Sequence, residues 1–348
     1  MPHPLARDFD HVLAHTADVW RALKGQQLFI TGGTGFVGTW LVESFAWAND
    51  YLHLDAKATI LTRNAEAFRR KAPYGANHPS VRLLEGDVRN FALPEADYSF
   101  LVHAATDQAP PSSEEPTGTF ERELSGTHHV LEFARRCNVK RLLFTSSGAV
   151  YGRQPRELTH VPEEYCGAPS PVEIGSAYGE AKRASELLCA AWARQFGFTA
   201  VIARLFTFAG PRLPLNINFA VGNFVRDILV GGPVKIAGDG TAYRSYLYAA
   251  DLAIWLWNLL VRGESARPYN VGSGDAITIR DLAQLAVETL SPGILIEIAQ
   301  AADQNVRANR YVPSVGRVAN ELGLYSLISL DEQIRRMYEW HWSSNEAH

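Results

Sequence analysis

Gln27-Leu-Phe-Ile-Thr-Gly-Gly-Thr-Gly-Phe-Val-Gly38 is the stretch that decides the fold. Its apolar residues Leu28 to Ile30 predict a short buried strand, and the apolar-periodic segment Phe36 to Trp47 predicts a helix. A glycine-rich turn between a strand and a helix is the context typical of a dinucleotide-binding site. The alternative is an ordinary strand–helix turn, since glycine-rich turns are common.

Three glycines of this turn, spaced three and three residues apart, have separate predicted roles. Gly32 permits the tight turn, Gly35 lets backbone approach a pyrophosphate, and Gly38 lets the helix pack closely on the sheet. The helix N-terminus then presents free N–H groups and the positive end of its dipole to the phosphates. Other residues of the turn that we expect against the cofactor are Thr34, Phe36 and Val37.

The composition is that of an ordinary globular protein. The 348 residues are 47% hydrophobic and 20% charged, which predicts one large or two coupled domains. A net charge of −4 argues against a nucleic-acid surface. Segment Ala249 to Val261 is too short to span a membrane. Three cysteines without metal-type spacing and a polar N-terminus without a cleavable signal predict a cytoplasmic protein with neither disulfides nor a metal.

Strand-like and helix-like segments alternate along the N-terminal part of the chain. This alternation predicts parallel βαβ units and therefore an α/β fold, a doubly wound parallel sheet of Rossmann type. The expected strands are 28–30, 58–61, 81–84, 100–103, 141–145 and 199–205, and the expected helices are 5–24, 36–47, 120–136 and 176–195.

Beyond Gly210, frequent glycine and proline break the chain into shorter pieces. A helix at 219–230 and strands at 234–236 and 243–248 fit a smaller C-terminal α+β lobe. We therefore expect an N-terminal helical extension over 1–25, a dinucleotide-binding domain over 26–210 and a substrate lobe over 211–348. A strand at 268–271 can return to the main sheet.

The end of the second predicted strand bears on the choice of cofactor. Folds specific for NAD usually place an acid there for the ribose 2′-hydroxyl, whereas arginine accommodates the 2′-phosphate of NADP. Here the stretch is Ile60-Leu-Thr-Arg-Asn64, with Arg63 and no acid. This favours NADP over NAD, unless Arg63 is only a solvated loop charge. Asp87, after the third strand, is predicted to contact adenine, and a solvated turn acid is the alternative.

Ser176-Ala-Tyr-Gly-Glu-Ala-Lys182 places Tyr178 and Lys182 on one face of a helix. A lysine ammonium beside a phenol lowers the tyrosine pKa, which suits a general acid/base for alcohol–ketone interconversion. Ser146 and Ser147 lie at the end of the fifth strand, where ligands of open α/β sheets bind. A Tyr-x-x-x-Lys pair alone is more often a surface feature, but its combination with the serines and the glycine turn is specific.

The chain resembles the extended short-chain dehydrogenase/reductases that act on nucleotide sugars. The resemblance covers residues 27–323 and implies a nicotinamide cofactor in the N-terminal lobe and a nucleoside-diphosphate sugar in the C-terminal lobe. It also implies a homodimer formed by the helices at about 120–136 and 178–195. The matching motifs are Thr31-Gly-Gly-Thr-Gly-Phe-Val-Gly38, Gly86-Asp87, His103-Ala-Ala105, Ser146-Ser-Gly-Ala-Val-Tyr-Gly152, Tyr178-Gly-Glu-Ala-Lys182 and Arg244-Ser-Tyr-Leu-Tyr-Ala-Ala-Asp251.

The resemblance also assigns roles to single residues. Ser147, Tyr178 and Lys182 are implied as catalytic, with Ser146 structural, and Arg244 as the partner of the diphosphate. The implied cofactor contacts outside the glycine turn are Arg63, Asp87, Val88, Ala104, Ala105, Tyr178 and Lys182. The implied substrate contacts are Ser147, Thr207, Asn218, Phe219, Arg244 and Arg310.

Departures from the family pattern narrow the expected reaction. The 4,6-dehydratases carry an Asp-Glu pair after the catalytic hydroxyl to expel water, and this chain has Gly148-Ala149. Glu123 stands where the family usually has asparagine, Thr207 replaces a second asparagine, and Ser245 replaces the aspartate after Arg244.

What remains is hydride transfer at a sugar carbon, and Arg63, which favours NADP, predicts reduction of a 4-keto sugar nucleotide with NADPH. In that reaction Tyr178 protonates the forming alkoxide, Ser147 orients the carbonyl, and Lys182 holds the cofactor ribose. The alternative is a nucleotide-sugar 4-epimerase that keeps NAD tightly bound and returns the hydride to the other face. A third hypothesis is a nucleotide-sugar binding protein without turnover, against which the complete Ser147, Tyr178 and Lys182 set argues.

Overall fold

Two compact units make up the chain in a computed structural model that describes residues 3–106, 116–216, 219–303 and 308–346. Unit 1 comprises Met1–Gly152, Cys166–Leu205 and Ala253–Tyr269, and unit 2 comprises Arg153–Tyr165, Phe206–Leu252 and Asn270–His348.

Six strands of a seven-stranded sheet lie in unit 1, and the seventh begins there. Its strands are β1 (Gln27–Thr31), β2 (Lys57–Thr62), β3 (Val81–Glu85), β4 (Phe100–His103), β5 (Arg141–Ser147), β6 (Thr199–Leu205) and β11 (Pro268–Val271). Their order is β11-β6-β5-β4-β1-β2-β3, and pairing is parallel from β6 across to β3. The central strands are buried along nearly their whole length, as parallel strands covered on both faces are. The predicted doubly wound fold is confirmed.

Helices alternate with these strands. They are α1 (Ala6–Ala14), α2 (Ala17–Leu23), α3 (Phe36–Leu52), α4 (Ala65–Lys71), α5 (Pro73–Ala76), α6 (Pro116–Arg136), α7 (Ala177–Phe196) and α9 (Ala249–Arg262). Two short 3₁₀ helices lie at Gly148–Tyr151 and Ile174–Ser176. No helix of the described residues is long and apolar enough to cross a membrane.

The N-terminal extension differs from the single helix predicted over 5–24. It forms two helices, because His15 and Thr16 leave helical geometry with φ of −108° and −136°. Both helices bury aromatic side chains. The Phe9 ring lies 5.7 Å from that of Trp47, whose Nε1 donates to Asp10, and Trp20 lies 5.1 Å from Trp257. The extension therefore packs as part of unit 1.

Short paired strands and four helices form unit 2. The strands β7 (Phe208–Ala209), β8 (Val234–Ile236), β9 (Tyr243–Arg244), β10 (Leu247–Tyr248), β12 (Ile277–Thr278) and β13 (Ile296–Ile298) pair as β10-β7, β12-β9 and β13-β8. The helices are α8 (Ala220–Leu229), α10 (Ile279–Leu290), α11 (Gly316–Leu322) and α12 (Leu330–Glu346). The prediction of one strand over 243–248 is wrong, because its two ends pair with different partners.

Candidate active site

The glycine turn lies between β1 and α3, at the carboxyl edge of the sheet. Gly32 has a φ of +70°, and a Cβ there would lie 2.3 Å from the Ala104 backbone. A Cβ on Gly38 would lie 2.2 Å from the Gly32 carbonyl oxygen. Packing within the chain therefore requires both glycines. At Gly35 the nearest atom to an added Cβ would be 3.4 Å away, an ordinary contact, so the fold itself leaves space at that position.

The N-terminus of α3 is suited to an anion. Gly35 is its N-cap residue, no side chain caps the helix, and the first turn carries no acid. The first N–H groups of a helix have no acceptor within it, so they are available to phosphate oxygens together with the helix dipole. Thr34, Phe36 and Val37 lie in this turn, and the Thr34 carbonyl accepts a hydrogen bond from Lys71 Nζ at 2.7 Å. These features fit a dinucleotide pyrophosphate.

Alanine substitutions separate the roles of these glycines. Gly35→Ala is expected to leave the melting temperature nearly unchanged and to weaken dinucleotide binding about tenfold or more, because the added methyl group keeps the pyrophosphate too far from the backbone N–H groups for a charged hydrogen bond. Gly38→Ala is expected to cost about 1–3 kcal/mol of stability through overpacking. Thermal melting and calorimetric titration measure the two effects. A Gly35→Ala protein with undiminished affinity would remove the pyrophosphate assignment.

Ala104 and Ala105 extend the same edge beyond β4. The Ala104 amide donates to the Thr31 carbonyl at 3.1 Å, and the Ala105 amide donates to Thr31 Oγ1 at 3.3 Å. Parallel pairing of Thr31 with His103 brings both alanines beside the glycine turn. The sequence prediction that they accompany the cofactor therefore remains consistent with where they lie.

The Asp87 carboxylate, which follows β3, is bound by one arginine and lies within electrostatic reach of a second. Asp87 accepts from Arg89 Nε at 2.8 Å and from Arg89 Nη2 at 2.9 Å. These hydrogen bonds, with a smaller contribution from exposed Arg63, lower the Asp87 pKa to about 2. Sequence reasoning missed Arg89, although its place two residues after Asp87 was a usable signal. Val88 packs toward α6, where Gly126 approaches its Cγ1.

Ser147 ends β5, and its neighbour Ser146 points into a separate polar cluster. Ser147 is 8% exposed and its Oγ accepts from the Ala149 amide at 3.1 Å, capping the turn that follows. Ser146 Oγ donates to Glu186 at 2.5 Å. Arg204 holds the same carboxylate through two hydrogen bonds of 2.9 and 2.7 Å. Ser147 is thus the hydroxyl of the pair that this cluster does not engage.

The first turn of α7 lies directly against this serine turn. A Cβ on Gly179 would lie 2.8 Å from the Ala149 carbonyl oxygen, so only glycine allows the approach. Half-buried Tyr178 precedes Gly179, and Lys182 Nζ lies 5.9 Å from the Tyr178 ring centroid. Lys182 Nζ also donates to the Thr145 carbonyl at 3.0 Å, which ties α7 to the end of β5. The structure therefore brings the three predicted catalytic residues to one edge of unit 1.

Glu123 on α6 contacts the predicted catalytic residue Lys182, although the sequence analysis noted it only as a departure from the family pattern. It forms an ion pair with Lys182, and both side chains are almost completely buried, at 2% and 1% exposure. Its Oε2 accepts from Thr106 Oγ1 at 3.1 Å. Burial lowers the Lys182 pKa, but Glu123, through its charge and its hydrogen bond, together with Tyr178 and Cys189 outweighs burial, so the pKa lies above its usual value. The ammonium is therefore kept charged.

A buried polar network continues behind the lysine. His103 contacts Thr31 Oγ1 at 2.7 Å and Thr127 Oγ1 at 3.2 Å. Burial and then the charge of Lys182 lower the His103 pKa to about 3. His103 is therefore neutral at neutral pH and serves to hold β1, β4 and α6 together. In the part of the chain that the structure describes, no group of acids, histidines or cysteines could hold a metal ion.

The substrate residues predicted beyond β6 belong to unit 2. Arg244 Nη1 donates to the Tyr243 carbonyl at 2.7 Å, and the Arg310 guanidinium lies 3.8 Å from the centre of the Tyr243 ring. Tyr243, which sequence reasoning missed, thus contacts Arg244 through its carbonyl oxygen and Arg310 through its ring. Thr207 Oγ1 donates to the Ser245 carbonyl.

Two further predicted substrate residues adjoin α8. Phe219 is its N-cap residue and is half-buried. Asn218 lies outside the described residues.

A doubly wound sheet, a glycine turn and a serine–tyrosine–lysine set at its carboxyl edge define a dinucleotide-dependent enzyme of the extended short-chain dehydrogenase/reductase type. The chain belongs to the NAD dependent epimerase/dehydratase family, whose model matches residues 28–272. The resemblance stated from the motifs is therefore confirmed.

Curated relatives and solved structures extend the comparison. UDP-glucuronic acid decarboxylase 5 of Arabidopsis thaliana is 29% identical over 91% of this chain and 89% of its own length. The Thermus thermophilus UDP-glucose 4-epimerase in complex with NAD is 25% identical, with a TM-score of 0.73 over 90% of this chain and 98% of that chain. The Methanobrevibacter ruminantium UDP-N-acetylglucosamine 4-epimerase, at 22% identity, has a TM-score of 0.79 over 92% and 99% of the two chains and shows the fold alone.

Proposed function

We propose that this chain is an NAD(P)-dependent oxidoreductase that reduces a 4-keto sugar carried on a nucleoside diphosphate. The observation that carries the proposal is the placement of Ser147 beside the first turn of α7, with Lys182 bonded to the Thr145 carbonyl. This arrangement supplies a hydroxyl, a phenol and an ammonium at the sheet edge where the glycine turn also lies. Such a set performs proton transfer at a carbonyl oxygen.

Each residue has a distinct task in this reaction. The nicotinamide, when bound, supplies the hydride that carbonyl reduction requires. Ser147 Oγ donates a hydrogen bond to the carbonyl oxygen and orients it. Tyr178 gives its phenolic proton to that oxygen as negative charge develops there. Lys182 fixes the cofactor ribose and places its positive charge near the phenol.

The turn after Ser147 supports reduction over elimination. Loss of water from a sugar needs an acid and a base beside the catalytic hydroxyl. Gly148 and Ala149 occupy those positions and carry no ionisable group. We therefore propose that the chain does not run the 4,6-dehydratase reaction.

The substrate class is proposed from unit 2 and from the relatives. The Arg244 guanidinium donates to the Tyr243 carbonyl, and the Arg310 guanidinium lies over the Tyr243 ring. Arginine suits a diphosphate because its planar fork binds phosphate oxygens in pairs. The curated relatives include a UDP-glucuronic acid decarboxylase, and the solved structures include a UDP-glucose 4-epimerase. Together these observations favour a nucleoside-diphosphate sugar.

Removing the Arg244 guanidinium tests this anchor. Arg244→Ala is expected to raise KM about tenfold to a hundredfold, the range for a lost charged hydrogen bond, with a smaller effect on kcat. The reason is that Arg244 contacts the remote diphosphate, not the reacting carbon. Steady-state kinetics with exposed Arg335→Ala as the control measure it. An unchanged KM would mean that another residue holds the diphosphate.

NADP is proposed as the preferred dinucleotide because of the charge at the end of β2. Arg63 follows β2 directly, is exposed, and lies within electrostatic reach of Asp87, whose own charge is matched by Arg89. The position therefore has an unmatched positive charge for a 2′-phosphate. The family itself is described by its dependence on NAD.

Arg63→Ala measures this preference. We expect NADPH affinity to fall about tenfold or more, and NADH affinity to change little, because only NADPH has the 2′-phosphate. Arg69→Ala, an exposed arginine on α4, is the matched control. Binding is followed by calorimetric titration. An equal loss for both dinucleotides would exclude Arg63 as the determinant.

A 4-epimerase is the second candidate, favoured by the likeness to the Thermus thermophilus enzyme. An epimerase keeps its dinucleotide through the cycle, whereas a reductase exchanges it at every turnover. Mass spectrometry of the denatured, freshly purified protein distinguishes them. Stoichiometric NAD would favour the epimerase, and an empty site that then consumes NADPH with 4-keto sugar nucleotides supports the reductase. The homodimer that the family resemblance implies, formed by the helices at about 120–136 and 178–195, stays a prediction.

A further inference from the structure

The buried Glu123–Lys182 pair is built from elements distant in sequence. Glu123 lies on α6 and Lys182 on α7, and the lysine is also bonded to the Thr145 carbonyl at the end of β5. Thr106 Oγ1 donates to the other carboxylate oxygen at 3.1 Å. Helices α6 and α7, strand β5 and Thr106, which lies three residues beyond β4, thus hold both charges in place. The carboxylate stands where the resembled family has an uncharged asparagine.

We propose that Glu123 is a positioning residue of the active site, which holds the Lys182 ammonium and balances its charge so that Tyr178 keeps its proton and acts as a proton donor. The inference rests on the proposed function, because it specifies how the same three catalytic residues are set for reduction. A reductase needs the protonated phenol, whereas oxidation of an alcohol needs the phenolate.

The charges that face Lys182 support this assignment. The titratable groups around Lys182 are Glu123 on α6, Tyr178 and Cys189 on α7, and His103 on β4. Burial lowers the pKa of His103 to about 3 and raises that of the Cys189 thiol, so both are neutral at neutral pH. Glu123 is therefore the anion that balances the lysine among these groups. A buried ammonium without such a partner would carry a large desolvation cost.

The balance has a consequence for proton loss from the site. Lys182 Nζ lies 5.9 Å from the Tyr178 ring centroid, so the charge on either side chain acts on the other. Replacing Glu123 by a neutral amide makes the site one charge more positive. The pair then loses its first proton at lower pH, whichever of the two groups releases it. An opposite charge within about 4–6 Å typically shifts the titration midpoint of a group by about one to three pH units.

The experiment compares Glu123→Gln with Glu121→Gln, the same substitution at an exposed position of α6. Ultraviolet absorbance of tyrosinate, corrected with the corresponding Tyr178→Phe protein, follows the phenol. The chemical shift of ¹³C-labelled lysine follows Lys182. The lower of the two midpoints is expected to fall by about one pH unit or more in Glu123→Gln and to stay unchanged in Glu121→Gln. Unchanged midpoints in both variants would overturn the proposal.

A second variant keeps the test decisive if Glu123→Gln does not fold. Glu123→Gln/Lys182→Met removes both charges, so the net charge near Tyr178 is preserved and its tyrosinate midpoint is expected to remain near that of the wild type. A rise of the tyrosinate midpoint by a pH unit or more in the double variant would contradict the proposal. It would show that Glu123 does not balance the effect of Lys182 on the phenol.

The titrations need neither substrate nor cofactor, so they stand apart from the proposed activity. In a protein that turns over, the basic limb of the kcat/KM profile for keto-sugar reduction is expected to move to lower pH in Glu123→Gln. Glu123→Asp, which restores the charge, is expected to return the limb toward the wild-type position. Wild-type protein inactive on every 4-keto sugar nucleotide would overturn the function, while the midpoints would still decide the role of Glu123.

Discussion

Tyr178→Phe is expected to lower turnover of a 4-keto sugar nucleotide by about a hundredfold to ten-thousandfold, the usual contribution of a general acid. The substitution removes one oxygen from a half-buried ring and leaves the first turn of α7 otherwise intact. Without the phenolic proton, the alkoxide forming on the substrate has no donor. Dinucleotide affinity is expected to change little, because the glycine turn and the α3 N-terminus remain.

The control for this prediction is Tyr51→Phe, which removes the same oxygen from an exposed tyrosine of α3. Its turnover is expected to equal that of the wild type. Rates and dinucleotide affinities of both variants are measured at several pH values. Turnover by Tyr178→Phe within a few fold of the wild-type rate would contradict the proposed mechanism.

Lys182→Met is expected to lose both activity and stability. Both side chains of the Lys182–Glu123 pair are buried, and removing one partner leaves an uncompensated buried charge. Such losses typically cost about 3–5 kcal/mol of unfolding free energy. Activity is lost separately, because the ammonium no longer fixes the cofactor ribose. Urea unfolding measures the stability term.

The double variant Lys182→Met/Glu123→Gln separates these two losses. Removing both charges relieves the unpaired carboxylate, so much of the lost stability is expected to return. Activity is expected to stay absent, because no ammonium remains at the site. A double variant that regains turnover would show that Lys182 contributes only to folding. A double variant no more stable than Lys182→Met would show that the pair is not the source of the destabilisation.

Local sequence patterns were sufficient for the main sheet and for placing Ser147, Tyr178 and Lys182 at one of its edges, while their catalytic roles stay a prediction. Apolar runs mark β1 and β4, glycines mark the turn before α3, and the four-residue spacing of Tyr178 and Lys182 fixes their shared helical face. Each of these features depends on neighbouring residues. The bounds of β4 and β6 were predicted without change.

Features that depend on tertiary pairing could not be predicted in the same way. The ion pair of Glu123 with Lys182 joins two helices that are distant in sequence and pack on each other in the fold. The segment 243–248 has one continuous β-like pattern, but its ends pair with β12 and β7. The bend at His15 and Thr16 interrupts an amphipathic pattern that continues across it. In each case, long-range packing overrides the local signal.

Isotope tracing tests the central claim, hydride transfer to C4 of a nucleotide sugar, most directly. The protein is incubated with a 4-keto sugar nucleotide and NADPH that carries deuterium at the transferred position, and the product is examined by nuclear magnetic resonance. We predict one deuterium at sugar C4 for each NADPH consumed, and none with Tyr178→Phe. Consumption of NADPH without deuterium at C4, or no product from any 4-keto sugar nucleotide, would contradict the claim.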